Sequence, residues 1–231
     1  MKRAIAALAA LATALTLAAC GGGPPAGDPA KILRDSAAAM ASLKSAGATL
    51  KVTKGTLSIQ GFVLTSAKTS VRMPADSDTV YTVKQQDISF ALEVVIVSGR
   101  VYLHIPFSPF RELTGTEAAA FPNMAKLFDP ATGLPAIVPA GTDKKYVASE
   151  QLDGRTVDHV SATYSADQVH ALLAELKSNG PVTANVWIST SDHLIRKAVL
   201  DGDFGDGGKE AAVEVDISNF NATVSIASPA P

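Results

Sequence analysis

The sequence is poor in the residues that most site chemistries and several fold classes require. Its 231 residues include one cysteine, which excludes an internal disulfide framework and any cysteine-rich metal site. Lys and Arg number 20 against 22 Asp and Glu, so no basic excess indicates a nucleic-acid partner. Aromatic residues make up 6% of the chain, whereas 47% is apolar, which is typical of a globular protein with an aliphatic interior.

Motifs for catalysis and for metal binding are missing as well. The histidines show no HExxH motif and no metal-ligand spacing, and no GxSxG elbow or glycine-rich phosphate loop occurs. The run 201–208 carries Asp at alternate positions, as calcium loops do. It lacks the closing glutamate, however, and therefore favours a Gly/Asp-rich connection between strands. The sequence predicts no enzyme, no metal site and no cofactor.

The first twenty residues are typical of an export signal. Lys2 and Arg3 precede an apolar stretch, 5–17, that is too short to span a hydrocarbon core of about 30 Å. The sequence LAACG at 17–21 then matches a bacterial lipobox, in which the cysteine is lipidated and becomes the new N-terminus. The alternative is an ordinary secretory signal with an incidental cysteine. Because the single cysteine stands at the required position, we expect a signal peptide over 1–19 and a lipidated Cys20.

A short tether follows the cysteine. Residues 20–27 combine glycine, which supplies flexibility, with proline, which stiffens the chain. The remainder, 28–231, contains no run of 18 apolar residues and is expected to form a single domain. We therefore expect a protein held at the cell membrane by its lipid anchor and facing the periplasm or cell wall.

The periodicity of this domain predicts strands with a few helices. Helices are expected at 29–45, ended by Gly47, within 117–139, and at 166–177 after a capping box. The pair Phe90–Val97 and Val101–Ile105 forms the clearest hairpin. Further strands are predicted at 57–63, 71–73, 80–83, 145–152, 155–164, 182–189, 194–201, 211–218 and 220–226. The short turns between consecutive strands favour one antiparallel sheet and an α+β fold.

The predicted strand Phe90–Val97 is apolar on both faces apart from Glu93. One face of an antiparallel sheet normally covers the core, and the other normally meets water. Something apolar is therefore expected over the second face. The predicted helices are one candidate, and a ligand of the same polarity is the other; the pattern alone leaves both open.

The combination of these features resembles the LppX/LprA/LprF/LprG family of mycobacterial lipoproteins. The likeness rests on the lipobox, the tether, the first helix and the runs FDPATGL (128–134) and PVTANVWI (181–188), and it covers essentially the whole mature chain. It implies a strongly curved antiparallel half-barrel with helices on the concave side, which encloses an apolar cavity. The LprG-like and LprA/LprF-like branches stay open.

The resemblance also implies a function. Members of the family bind multiply acylated lipids or glycolipids and carry them from the inner membrane toward the outer cell envelope. Some members act beside a membrane efflux pump, which makes such a transporter a candidate partner. The alternative is a structural or receptor-binding surface lipoprotein with a filled core and no lipid cargo.

The family has no catalytic motif, so the lipidated Cys20 is the one residue that transfers directly. The cavity lining is predicted from strand faces, and a helix is predicted to supply a lid. The predicted lipid-binding residues are Phe90, Leu92, Val94, Ile96, Val101, Leu103, Ile105, Val186 and Ile188 on strands, with Leu172, Leu173 and Leu176 on the helix. An alternating pattern assigns residues to faces without saying which face is concave.

Overall fold

A computed structural model describes residues 27–172 and 178–229. The helices in this part of the chain are α1 Pro29–Ala41, α2 Gly115–Ala119, α3 Leu134–Ile137 and α4 Ala166–Leu172, with 3-10 segments at Met124–Phe128 and Val138–Ala140. The strands are β1 Ser45–Lys54, β2 Leu57–Ile59, β3 Phe62–Arg72, β4 Asp76–Gln85, β5 Ile88–Val97, β6 Arg100–His104, β7 Arg111–Leu113, β8 Thr142–Leu152, β9 Arg155–Tyr164, β10 Val182–Ser189, β11 Ile195–Gly202 and β12 Ala211–Ser218. Outside the described residues lie the predicted signal peptide, Cys20, the tether as far as residue 26, Leu173 and Leu176.

The twelve strands of the described chain form one antiparallel sheet. Its order is β7-β6-β5-β4-β3-β1-β12-β11-β10-β9-β8, and β2 extends it by pairing with β3. Two meanders, β3–β7 and β8–β12, are joined in the centre by the pairing of β1 with β12, where Leu50 lies opposite Val215. The outer strands β7 and β8 do not pair, so the sheet is unclosed. These observations confirm the predicted α+β class with one large antiparallel sheet.

The first helix is shorter than predicted. Its start is as expected, because the Asp28 side chain accepts a hydrogen bond of 2.9 Å from the Ala30 N–H and Pro29 occupies the first turn. It ends at Ala41, and Ser45 already belongs to β1. Gly47 therefore does not end a helix but lies in a strand, where Asn219 packs against it. The prediction of helix as far as residue 45 is wrong because small residues suit either structure.

Of the next two predicted elements, one differs from the structure and one agrees with it. The stretch 57–63 is not one strand but a hairpin, since Gln60 and Gly61 form a turn with φ of 52° and 80°. The region 117–139 contains short helical pieces, as the sequence predicts. Prolines interrupt it at Pro122 and Pro130, and each proline removes a backbone donor.

The predicted strand at 220–226 is wrong. Positive φ angles at Asn219 and Asn221 break the extended run, and the segment instead crosses the sheet surface. Its backbone is bound from the side: the Ser45 hydroxyl donates to the Ala222 carbonyl at 2.5 Å, and Arg72 donates to the Ile226 carbonyl at 3.1 Å. The alternating apolar residues of this segment pack against the sheet with one side, and the segment does not pair with a neighbouring strand.

This C-terminal segment resolves the question of what covers the second face of β5. Ile226 is buried in a cluster with Val95, Val97 and Tyr102, all on the face opposite to the one that the helices cover. The helices shield one face of β5, and residues of the chain's own C-terminus shield part of the other. No ligand is needed to explain why β5 is apolar on both sides.

The FDPATGL run is a compact turn that leads into α3. The Asp129 carboxylate accepts hydrogen bonds of 2.9 Å from the Ala131 and Thr132 N–H groups, and these bonds hold the pKa of Asp129 below its usual value. The Gly133 N–H donates to the Asp129 carbonyl at 2.8 Å. The glycine packs so closely that a Cβ at this position would lie 2.5 Å from the Leu127 carbonyl oxygen.

Replacing Gly133 by alanine is therefore expected to destabilise the domain by about 1–3 kcal/mol, because the backbone of Leu127 must shift to admit the methyl group. Urea unfolding monitored by circular dichroism measures the change. Gly180→Ala is the matched control, since the nearest atom to a Cβ there is Asp203 Oδ2 at 3.7 Å, an ordinary contact. Equal stability of the two variants would show that the turn accommodates a side chain.

Candidate functional site

The inner face is the face of the sheet against which α1 packs. Antiparallel registers align its side chains in rows that cross the strands. One row runs through β9, β10, β11, β12, β1, β3, β4 and β5 and consists of Val160, Val186, Ala198, Val215, Leu50, Ala67, Tyr81 and Leu92. Its members are aliphatic apart from one tyrosine. The sheet thus presents a continuous apolar surface on one side.

A helix covers one end of this row, and the segment that follows α2 covers the other. At the β9 end, Leu33 of α1 is fully buried in one cluster with Val160. At the β5 end, Phe121 is buried with Tyr81 and Leu92, and its ring centre lies 6.4 Å from that of Tyr81. Both ends of the row therefore belong to well-packed clusters.

Burial falls in the middle of the row rather than at its ends. Val160 and Leu92 are 0% and 2% exposed, whereas Ala198, Val215 and Leu50, on the central strands, are half-buried. In a single filled core the central strands would be the most buried, because they are farthest from the sheet edges. The centre of the inner face is the least covered part of this row.

A set of half-buried aliphatic side chains marks this centre. Each member packs against the cluster around Phe204 and against one of the other two buried clusters on the inner face, without being buried in either. We call this set the central seam; it consists of Leu50, Leu64, Val169, Leu200 and Val215. Its surface is apolar and deformable, and it carries no group suited to covalent chemistry.

The predicted lipid-binding residues of β5 and β6 lie on the inner face. In one cluster with Phe121 the structure places Phe90, Leu92, Val94, Ile96, Val101 and Leu103. Leu92, Val94 and Ile96 are at most 5% exposed, and the other three are half-buried. The ring of Phe90 meets that of Phe62 edge-on at 5.2 Å. That these side chains bind lipid stays a prediction.

The remaining predicted residues are dispersed. Val186 and Ile188 are buried in the cluster that contains α1, away from the β5 group. Ile105 lies beyond the end of β6 and is 44% exposed. Leu172 is half-buried at the end of α4. Leu173 and Leu176 lie outside the described residues.

The sequence did not predict the central seam. Leu50 belongs to β1, which was not predicted because its sequence, SAGATLKVTK, mixes small and charged residues. Leu200 and Val215 were assigned to strands correctly, yet an alternating pattern does not tell how buried a position is. The signal that would have found them is the pairing of β1 with β12, a contact between distant parts of the chain.

The fully buried polar side chains of the inner face are hydroxyl-bearing. Thr69 and Thr79 face each other across β3 and β4, with their Oγ1 atoms 2.8 Å apart. Tyr164 donates a hydrogen bond of 2.9 Å to the Val138 carbonyl, and burial raises the pKa of its phenol to about 12. These groups are uncharged near neutral pH and are compatible with an apolar ligand.

The PVTANVWI run (181–188) forms most of β10. Trp187 lies on the outer face of the sheet, where its ring stacks on His159 at 4.2 Å between ring centres. Glu150 joins the pair by accepting hydrogen bonds of 2.8 Å from the Trp187 indole and 2.9 Å from His159. These bonds hold the pKa of the Glu150 carboxyl below its usual value. This cluster ties β8, β9 and β10 together on the side away from the seam.

Residues 27–172 and 178–229 contain no metal-binding cluster and no membrane-spanning helix. Within them no three His, Cys, Asp or Glu side chains are grouped so as to hold a metal ion. None of the helices in that range has the length and apolar character needed to cross a membrane. A surface cleft of about 310 Å³ is lined by Gly55, Thr56, Asp206, Lys209 and Glu210. It includes none of the seam residues.

Comparison with known proteins decides the family. The model of the LppX_LprAFG lipoprotein family matches residues 28–226. The chain belongs to this family. The resemblance inferred from the sequence is thereby confirmed, and the matched region spans all the strands described above.

Solved structures of the family share the fold. LprF from Mycobacterium bovis has a TM-score of 0.70 at 21% identity, covering 88% of this chain and 97% of that one. LppX from Mycobacterium tuberculosis has a TM-score of 0.63 at 19% identity, covering 86% and 98%. At these identities the likeness establishes the fold alone.

Two curated relatives are similar in sequence. The lipoarabinomannan carrier protein LprG of Mycolicibacterium smegmatis is 28% identical over 137 residues, which is 59% of this chain and 55% of LprG. The protein of the same name from Mycobacterium leprae is 24% identical over 136 residues, or 58% and 55%. The match spans about half the length of these relatives.

Proposed function

We propose that this protein is a lipid-anchored carrier that binds acylated lipids or glycolipids against the central seam. The observation that carries the proposal is the fall in burial at the centre of the inner face, where Leu50 and Val215 are half-buried between well-packed ends. An acyl chain laid along the seam would complete the contacts that the protein's own side chains leave unmade. The enclosed apolar cavity and the curvature of the sheet are part of this proposal.

The energetics suit a carrier. Transfer of a chain of about 16 carbons out of water is favourable by roughly 12 kcal/mol, at about 0.8 kcal/mol for each methylene. Transfer from a bilayer to an aliphatic surface is close to neutral, because both environments are apolar. Loading at one membrane and release at another therefore need no covalent step, provided that the seam does not bind more tightly than a membrane does.

The relatives support a lipid or glycolipid cargo, since both LprG proteins are named as carriers of lipoarabinomannan. We extend the proposal to the cellular setting expected from the sequence. Lipidated Cys20 holds the domain at the inner membrane, facing the periplasm, and cargo moves toward the outer cell envelope. A membrane efflux transporter is the partner proposed for delivery.

Organic extraction of the purified protein tests this function. The chain is prepared with Cys20→Ala, so that no acyl group on the cysteine enters the extract, and the extracted material is identified by mass spectrometry. We expect acylated lipid close to one molecule per chain. A folded protein that contains no lipid, and takes up none from vesicles, would instead support the filled-core alternative of a structural or receptor-binding lipoprotein.

A further inference from the structure

A fully exposed phenylalanine stands at the tip of a turn after β6. Residues 105–108 close the turn, in which the Ser108 N–H and hydroxyl both donate to the Ile105 carbonyl, at 3.2 and 2.9 Å. Phe107 is 106% exposed and has a φ of 66°. Left-handed backbone is unfavourable for a bulky residue, so neither burial nor conformation stabilises phenylalanine at this position. A residue of this kind indicates a functional contact.

The residues next to Phe107 in the chain carry no charge, and most of them are apolar. We call residues 105–109, with the sequence IPFSP, the apolar loop. Ile105 is 44% exposed, and Pro106 and Pro109 are exposed as well. The base of the loop is held in place, because Phe110 stacks on His104 with ring centres 4.9 Å apart. The loop therefore presents its apolar tip from a fixed position.

This loop adjoins the inner face. Along β6 the side chains of Val101 and Leu103 belong to the inner-face cluster, and Leu103 lies opposite Val94 of β5. Ile105 is the next residue in this alternation. The apolar loop thus continues the inner face beyond the end of a strand, near the β7 edge of the sheet.

We propose that the apolar loop inserts into the boundary between headgroups and acyl chains of a lipid bilayer, and so brings the rim of the inner face to the lipid. The proposal rests on the proposed function in one respect: Cys20 keeps the membrane within reach. The tether from Cys20 to Gly27 spans at most about 25 Å when fully extended. The tether joins the domain at Gly27, where a Cβ would lie 3.3 Å from the Tyr146 ring of β8, at the opposite edge of the sheet from the loop. It therefore keeps the whole domain near the membrane, and the loop's own apolar surface has to decide which edge meets the lipid.

The size of the apolar surface favours a membrane over a protein partner. A phenylalanine side chain contributes roughly 150–250 Å² on burial. Specific protein interfaces need about 800 Å² from each partner, which one exposed Phe and a half-exposed Ile do not supply. Insertion into a bilayer has no such requirement, because the acyl chains close around any apolar shape.

A fluorescent label at the loop tip tests the contact. In the chain with lipidated Cys20, Phe107→Cys introduces the one free thiol, which takes an environment-sensitive dye. Val147→Cys is the matched control, since Val147 is also an exposed apolar residue, 50% exposed, but lies on the opposite edge strand, β8. In vesicles of phosphatidylcholine and phosphatidylglycerol, we expect brominated acyl chains to quench the dye at 107 and not at 147. Equal quenching at both positions, or none at 107, would overturn the proposal.

Transfer kinetics separate this proposal from the proposed function. Phe107→Ser is expected to slow the uptake of a fluorescent acylated lipid from the same vesicles by about tenfold, with unchanged lipid content at equilibrium. Val147→Ser should leave both quantities unchanged. If the dye at 107 is quenched but the protein never contains lipid, the membrane contact of the apolar loop is supported and the carrier function is rejected. If Phe107→Ser takes up lipid at the normal rate, the membrane contact of the apolar loop is rejected and the carrier function stands. The same conclusion follows if the dye responds to envelope proteins but not to vesicles.

Discussion

The Leu200→Trp variant is expected to lose its bound lipid almost completely while it remains folded. Leu200 is half-buried in the central seam, so an indole there projects into space that an acyl chain would otherwise occupy. We expect extracted lipid to fall at least tenfold relative to the unsubstituted chain. Mass spectrometry of the extract and a urea unfolding curve of the same preparation provide the two readouts.

Val199→Trp is the matched control for this experiment. Val199 is the neighbouring residue on β11, half-buried like Leu200, but an alternating strand directs its side chain to the outer face. It should retain normal lipid content with similar stability. If Leu200→Trp keeps its lipid, the seam is not the binding surface; if both variants lose it, the loss reflects general disruption of β11.

The buried positions of β5 suit this purpose less well. Leu92 and Val94 are 2% and 1% exposed, so a tryptophan at either position overpacks an existing cluster. Such insertions commonly lower stability by about 1–3 kcal/mol. Loss of lipid from Leu92→Trp or Val94→Trp would therefore not distinguish a blocked site from a strained fold, whereas normal lipid content in both would count against their assignment to the lining.

The second large effect is expected at the anchor. Replacing Cys20 by alanine removes the thiol that a lipobox requires, and we expect the chain to shift almost entirely from the membrane fraction to the soluble fraction. One acyl chain gives only marginal attachment, whereas two or more give stable anchoring, so the partition should change by more than a hundredfold. Cell fractionation and the mass of the N-terminal peptide measure the result.

Gly22→Ala serves as the control for Cys20→Ala, because it alters the tether and keeps the cysteine. It should remain in the membrane fraction. The N-terminal peptide must show that residues 1–19 have been removed from Cys20→Ala, because an uncleaved apolar stretch would itself hold the chain at the membrane. Retention of the cleaved variant would mean that another contact holds the domain. A Cys20→Ala, Phe107→Ser double variant would then test the apolar loop as that contact.

Part of this fold follows from local sequence alone. Strands β9, β10 and β12 begin and end where the alternation predicts, since each has one apolar and one wetter face. The prediction failed where a local pattern is compatible with two structures. The stretch before Gly47 suits helix or strand, and the alternation in 220–226 serves surface packing as well as strand pairing.

The sequence predicted less of the candidate site than of the fold. The inner-face residues of β5 were assigned to one face correctly, because Leu92, Val94 and Ile96 follow the period of a strand. The central seam depends instead on which distant strands become neighbours and on how far the helices extend over them. Neither quantity has a local signature, so Leu50 and Leu200 acquire their role only in the assembled sheet.

The pairing of β1 with β12 has a consequence for the order of events during synthesis. The first strand of the domain finds its second neighbour in the last one, which ends at Ser218. Because the chain is synthesised from its N-terminus, one half of its apolar inner face stays exposed to water until nearly the whole chain has been made. Non-local pairings of this kind form slowly, so the apolar inner face stays prone to aggregation until β12 has paired with β1.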